Sequence, residues 1–230
     1  MKIQHTLLFV AFFISIQSAH SEEFATASFI KGKVSFLSAN DTSKLWKTLK
    51  VNDSLKPGDR VKTGNGSKVD FIYKESEFRI QQNTDFTLTE WDVSKSNSKI
   101  AVEKGAAWFR VKDFKKGNFT VSTPTTTAGV RGTAFGVFYE EKEKKGYTCV
   151  CEGLVNINGT DFSKGTGGAV ALGKSELEKN EYKELITKEG ATPKVKEKMK
   201  DFPMLAKCLP CHKPIGWKAD GVMFDQKYGN

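Results

Sequence analysis

Near the C-terminal end of this 230-residue sequence stands Cys208-Leu209-Pro210-Cys211-His212, the short signature of covalent c-type haem attachment. Two thiols three positions apart can add to two haem vinyl groups while the following histidine ligates the iron from below, so residue types and spacing follow from one geometry. The other two histidines, His5 and His20, fall in the N-terminal leader. A second axial ligand must therefore come from methionine, lysine, water or another protein. Met223 lies 11 residues beyond His212, a span of about 36 Å when extended, long enough to wrap the macrocycle edge. Met199 and Met204 stand on the other side of the motif and serve as well. The predicted haem c set is thus Cys208, Cys211 and His212, with His212 and Met223 as axial ligands. Only 18 residues follow the motif, too few for the remainder of a cytochrome domain, so other parts of the chain must supply a wall for the haem.

The remaining cysteines fall in Tyr147-Thr148-Cys149-Val150-Cys151. On one extended strand Tyr147, Cys149, Cys151, Val155 and Ile157 share a face, which reads as core with both thiols packed as small hydrophobes. Two same-face neighbours do not bring their sulfurs into bonding distance without strain. Four assignments of the cysteines compete. In the first, the tail carries haem and the strand pair is packing. In the second, an oxidising compartment forms disulfides, either Cys208 to Cys211 or strand to tail. A tetrahedral zinc or cluster clip of Cys149, Cys151, Cys208 and Cys211 is the third. A thioredoxin-like redox pair is the fourth, and it lacks the βαβ context which that chemistry requires.

The elements that position these residues begin with a leader. Lys2 precedes the apolar run Leu7–Ile16, and Ala19-His20-Ser21 follows as a small-x-small cleavage site, the pattern of a cleaved secretory signal peptide over 1–21. The run is too short for a membrane anchor, which takes about 20 apolar residues. Cleavage leaves 209 residues with 35 Lys+Arg against 27 Asp+Glu, a net charge of +8, and no second apolar span. The expected location is periplasmic or secreted. Lysine and glutamate interleave, as in Glu140-Glu141-Lys142-Glu143-Lys144-Lys145. This is a solvated surface and excludes a nucleic-acid footprint, leaving an anionic envelope surface or an envelope redox protein as the expected partner.

From residue 24 to 173 apolar and polar residues alternate with period two, as at Val69, Phe71 and Tyr73, at Phe86 and Leu88, and at Phe119 and Val121. Gly, Asn, Asp and Ser punctuate the runs at 56–59, 63–66, 116–118 and 158–159, which predicts short strands joined by turns in an all-β sandwich, jelly roll or solenoid-like stack. Thr166-Gly167-Gly168 reads as another turn. Trp46 and Trp108 read as core. After Gly173 the capping box Ser175-x-x-Glu178, with Leu177, Leu185 and Ile186 on one face, predicts a helix ending at Gly190. A second helix is expected from Thr192 and Pro193 to Pro203. Residues 174–202 would then form a helical tether presenting the tail 203–230.

Several pieces between about 27 and 173 resemble the FecR domain family. They are Gly32-Lys33-Val34, Trp46 with Leu49, the turn Leu55-Lys56-Pro57-Gly58-Asp59-Arg60-Val61, Lys104-Gly105-Ala106-Ala107-Trp108, Phe119–Pro124, Ala128-Gly129-Val130-Arg131-Gly132-Thr133-Ala134-Phe135, and Glu152-Gly153-Leu154-Val155. The resemblance implies an extracytoplasmic β-module for binding or sensing. Inner-membrane regulators of this family relay an outer-membrane iron-uptake signal to a sigma factor. This sequence departs from them in having neither their anchor nor their cytoplasmic segment, so that relay is not carried over. Arg131, set between apolar residues, is expected to be partly buried with a carboxylate or carbonyl partner and to serve the fold before any ligand. No catalytic constellation is present: there is no His–carboxylate pair, nucleophile elbow or phosphate-binding glycine loop. The overall expectation is a non-enzymatic, exported, redox-linked sensor or electron carrier with one haem. The rival is a colourless envelope protein stapled by disulfides or zinc.

Overall fold

A computed structural model describes residues 25–92, 97–112, 119–181, 186–187 and 190–191. Among these described residues sixteen strands follow in chain order: β1 (Thr26–Lys31), β2 (Val34–Leu37), β3 (Lys47–Thr48), β4 (Arg60–Thr63), β5 (Lys68–Tyr73), β6 (Ser76–Ile80), β7 (Asp85–Asp92) and β8 (Asn97–Arg110). They continue with β9 (Phe119–Ser122), β10 (Thr127–Glu140), β11 (Lys145–Ile157), β12 (Thr160–Ser163), β13 (Thr166–Ala171), β14 (Glu178–Glu181), β15 (Ile186–Thr187) and β16 (Gly190–Ala191). The expected all-β class holds. Fourteen strands form one continuous sheet, and β15 and β16 make a separate hairpin.

Three long strands fold that sheet over on itself. The first half of β8 pairs with β7 and, in parallel, with β9, while its second half pairs with β6 and β10. Likewise β10 begins against β9 and ends against β8, with β11 alongside throughout. Each long strand changes its inward parity on the way. On β8 the core takes Ile100 and Val102, then Ala107 and Phe109. On β10 it takes Ala128 and Val130, then Phe135 and Val137, and on β11 Val150, then Val155 and Ile157. Between each pair of sets sits a glycine with positive φ: Gly105 (81°), Gly132 (56°) and Gly153 (78°). The β10–β11 register shifts twice between Arg131 and Phe135, first by an extra residue on β10 and then by one on β11, and one extra residue turns every later side chain of its strand to the opposite face. The backbone is also close at two of these corners, Gly105 and Gly153. A Cβ on Gly105 would come within 2.7 Å of the Asn83 carbonyl oxygen, and one on Gly153 within 2.9 Å of that of Gly132. Only glycine meets both the conformation and the space.

The two walls meet through aromatic rings. Phe71 of β5 stacks on Phe86 of β7 at 6.2 Å, Phe78 of β6 lies 5.4 Å from Phe119 of β9, and Tyr73 meets the edge of Trp91 at 4.7 Å. None of these strand pairs shares hydrogen bonds, so the contacts run across a sandwich core. The turn before β4 is tied by Asp59, a buried carboxylate that accepts hydrogen bonds from the backbone N–H groups of Ala39 and Lys56, both at 2.9 Å. At the far end Asn158 and Gly159, both at positive φ, make the expected tight turn between β11 and β12.

Four expectations are corrected. Thr166-Gly167-Gly168 is not a turn but the start of β13, where a Cβ on Gly168 would press on the ends of the Leu177 and Phe162 side chains at 2.7 and 3.3 Å. The helix expected after Gly173 is replaced at 178–181 by edge strand β14 on β13, and there is no helix among the described residues. Local capping signals lose there to tertiary pairing: Leu177 packs on the core and Glu178 bonds Lys145 at 2.7 Å. Trp46 is 39% exposed rather than core, its ring flanked by Lys62 and Arg60 at 4.6 and 5.8 Å. Finally, Tyr147, Cys149 and Cys151 do not share a face with Val155 and Ile157, because the Gly153 corner intervenes. The second expected helix, 192–202, and the tail lie outside the described residues.

Candidate functional site

The parity change divides β11 into two chemistries. Val150 points into the core, so Tyr147, Cys149 and Cys151 point to the outer side of their wall. Register extends that outer row across seven strands: Asp70 opposes Arg79, Arg79 opposes Trp108, Trp108 opposes Gly136, Gly136 opposes Cys149, Cys149 opposes Gly167, and Gly167 opposes Asn180. An outward face of an antiparallel sheet is ordinarily wet and polar. Here Cys149 is 0% and Trp108 4% exposed, and Asp70, Arg79, Phe138 and Tyr147 are buried as well. The aromatic and cysteine side chains of this row stand apart from the contiguous core between the walls.

The charged end of the row is built on alternation within β6, where Phe78 and Ile80 enter the core and Glu77 and Arg79 point the other way. The Arg79 guanidinium donates from Nε and Nη2 to one Glu77 carboxylate oxygen at 3.2 and 3.3 Å, with both side chains largely buried. It also lies 5.1 Å from the centre of the Trp108 ring, with the Arg110 guanidinium 5.7 Å from the same ring. Desolvation raises the worth of such cation–π contacts. A buried ion pair adds little net stability, whereas losing one member strands the other charge.

At the opposite end Phe138 stacks on Tyr147 with ring centres 5.8 Å apart. The Tyr147 hydroxyl donates to Glu143 at 2.7 Å. Burial, and then the neighbouring Glu143 carboxylate, push the phenol well above the ordinary tyrosine range. Between the two ends sits Cys149, which is disulfide-bonded, while Cys151 keeps its thiol and is buried. Trp108, Phe138, Tyr147, Cys149 and Cys151 each make further contacts beyond those named. The neighbours of Cys149 on both flanking strands are glycines, so neither flanking strand sets a side chain directly beside it.

The chemistry available here is thiol–disulfide chemistry within an aromatic and cationic frame. Among the described residues no three His, Cys, Asp or Glu side chains gather as a metal site. A disulfide sulfur is not a thiolate, so Cys149 in this state does not serve the zinc clip. The predicted haem residues Cys208, Cys211, His212 and Met223 lie outside the described residues, as does the Arg131 side chain. The Glu77–Arg79–Trp108 assembly was not anticipated. Its signal is the pair of charges alternating with Phe78 and Ile80 in a short strand, an unusual choice for a face that is to be covered.

A family profile described as FecR protein matches residues 59–156. The match runs from the Asp59 turn through all three corner glycines and supports a FecR-like domain there, narrower than the 27–173 of the resemblance and without the Cys-x-x-Cys-His motif. No curated protein sequence matches the chain. Two crystal structures of a candidate anti-sigma factor from Parabacteroides distasonis are similar. One has 17% identity, a TM-score of 0.46, and coverage of 54% of this chain and 59% of that one. The other has 16% identity, a TM-score of 0.47, and coverage of 73% and 80%. The chain thus spans under two thirds of the first, and superpositions this loose transfer no function.

Proposed function

We propose that this chain is an exported FecR-like sensing or binding module that acts in the cell envelope and catalyses no reaction. The observation that carries the proposal is the FecR match over residues 59–156, which spans the strands that fold the sandwich. A disulfide at Cys149 belongs in an oxidising compartment, in keeping with the leader over 1–21. The test pairs localisation with regulation. A tagged chain expressed from its own promoter should fractionate with the envelope and begin at Glu22. Deleting it should change the transcripts of a defined set of operons, restored by the full chain and not by one lacking residues 1–21. A cytoplasmic, unprocessed chain, or an unchanged transcript profile, overturns the proposal.

The Cys208-x-x-Cys211-His212 motif favours a second reading, in which the same module holds a haem c. Cys208 and Cys211 would hold it covalently, His212 and Met223 would ligate its iron, and the haem would supply one-electron chemistry. It requires both tail sulfurs as thioethers, so a disulfide from Cys149 to either one excludes it. The denatured intact mass decides: a gain of one haem, lost in His212→Ala, supports this reading, and a colourless protein removes it.

A further inference from the structure

We propose that the buried outer face is the docking site of the chain's own C-terminal segment, 192–230, clasped by a disulfide between Cys149 and one cysteine of the Cys208-x-x-Cys211 pair. The inference rests on the export reading, because the clasp needs an oxidising compartment, and it excludes the haem reading, which needs both tail sulfurs.

Chemistry and inventory identify the occupant. Cys149 is in a disulfide, and the sequence holds four cysteines. Cys151 is excluded because it is a free thiol, as two same-face strand neighbours would be. Residues two apart on a strand have Cα atoms about 6.6 Å apart and parallel Cβ directions, whereas a disulfide brings Cβ atoms to within about 4.5 Å. Cys208 and Cys211 are what is left. The surface suits a strap: Trp108, Phe138, Tyr147 and Cys149 are buried although they stand outside the contiguous core, and the glycines on either side of Cys149 let a backbone come within the Cα separation that a disulfide needs. Reach is sufficient. Asn180 of β14 occupies the same cross-strand row as Cys149, two strands away, or about 10 Å. From residue 192 the sequence supplies 16 residues before Cys208, about 50 Å if extended. Leu205, Leu209, Ile215 and Trp217 flank the cysteines and can cover apolar surface.

The bond forms by exchange. The tail thiolate attacks a protein disulfide of the envelope to give a mixed disulfide, and the Cys149 thiolate displaces the carrier's sulfur. The two thiol protons pass by way of solvent to the carrier, which is reduced by two electrons to its dithiol. One tail cysteine and Cys151 remain thiols.

Direct mapping tests the clasp on the native chain. Protein from the envelope is alkylated without reductant, digested with trypsin and sequenced by mass spectrometry. The expected product joins peptide 146–164 through Cys149 to the peptide beginning at Cys208, two hydrogens short of the summed masses, with the other tail cysteine and Cys151 alkylated. A Cys208–Cys211 disulfide, thioethers to haem at both, or an alkylated Cys149 overturns it. The N-terminus of the same sample separates the causes: processed protein with alkylated Cys149 sinks the clasp alone, and unprocessed protein with alkylated Cys149 sinks the export reading with it.

Discussion

Replacing Gly153 by alanine tests whether the corner of β11 is what turns Cys149 outward. Gly153 sits at φ 78°, a conformation that costs a non-glycine residue about 1 to 2 kcal/mol. The new methyl would also stand 2.8 Å from Thr133 Cγ2 and 2.9 Å from the Gly132 carbonyl oxygen. The carbonyl belongs to the opposing corner and has no flexible end to swing away, so the clash adds overpacking of about 1 to 3 kcal/mol. Together these predict a loss of about 3 kcal/mol. Gly159→Ala is the control: its φ is 87°, but a Cβ there meets nothing within 4 Å, so only the backbone cost of about 1 to 2 kcal/mol applies. Urea unfolding followed by tryptophan fluorescence reads both variants against the parent. If Gly153→Ala loses no more than Gly159→Ala, the close approach of the two corners is not a constraint and the account of the parity change is wrong.

Truncating Asp59 to alanine strands the N–H groups of Ala39 and Lys56, a loss of about 3 kcal/mol for two hydrogen bonds to a carboxylate, measured by the same unfolding. A loss below about 0.5 kcal/mol would remove Asp59 as the tie of that turn. Phe78→Ala empties a fully buried site that touches Trp91, Phe109 and Phe119, and calorimetry should find about 3 to 5 kcal/mol lost. Tyr147 carries a pH prediction. Its phenol is raised above the unfolded value of 10.0, so the folded state holds the proton more tightly, and the associated stability is complete below pH 10 and is lost as pH rises beyond it. Tyr147→Phe should flatten that alkaline decline in thermal melts, and an unchanged slope would show that Tyr147 is not its source.

Much of the architecture is legible in order of residues alone. Period-two runs such as Val69–Phe71–Tyr73, the Asn158-Gly159 turn and the Asp59 turn are local facts of backbone geometry, and local facts are written in adjacent residues. The reading failed where partners distant in sequence decide. Ser175-x-x-Glu178 carries a sound capping signal, yet β13 offers an open edge, Lys145 a charge and Phe162 with Gly168 a pocket for Leu177, and together these favour a strand. The face of a cysteine cannot be counted along β11 by alternation, since the register breaks between Val150 and Leu154, beside the positive-φ Gly153, and only the pairing with β10 reveals the break. Cys-x-x-Cys-His announces sulfur chemistry by spacing alone. That Cys149 stands between glycines 136 and 167 is not written in its neighbours along the chain, because strand register is a property of the folded sheet, settled by which faces are buried together.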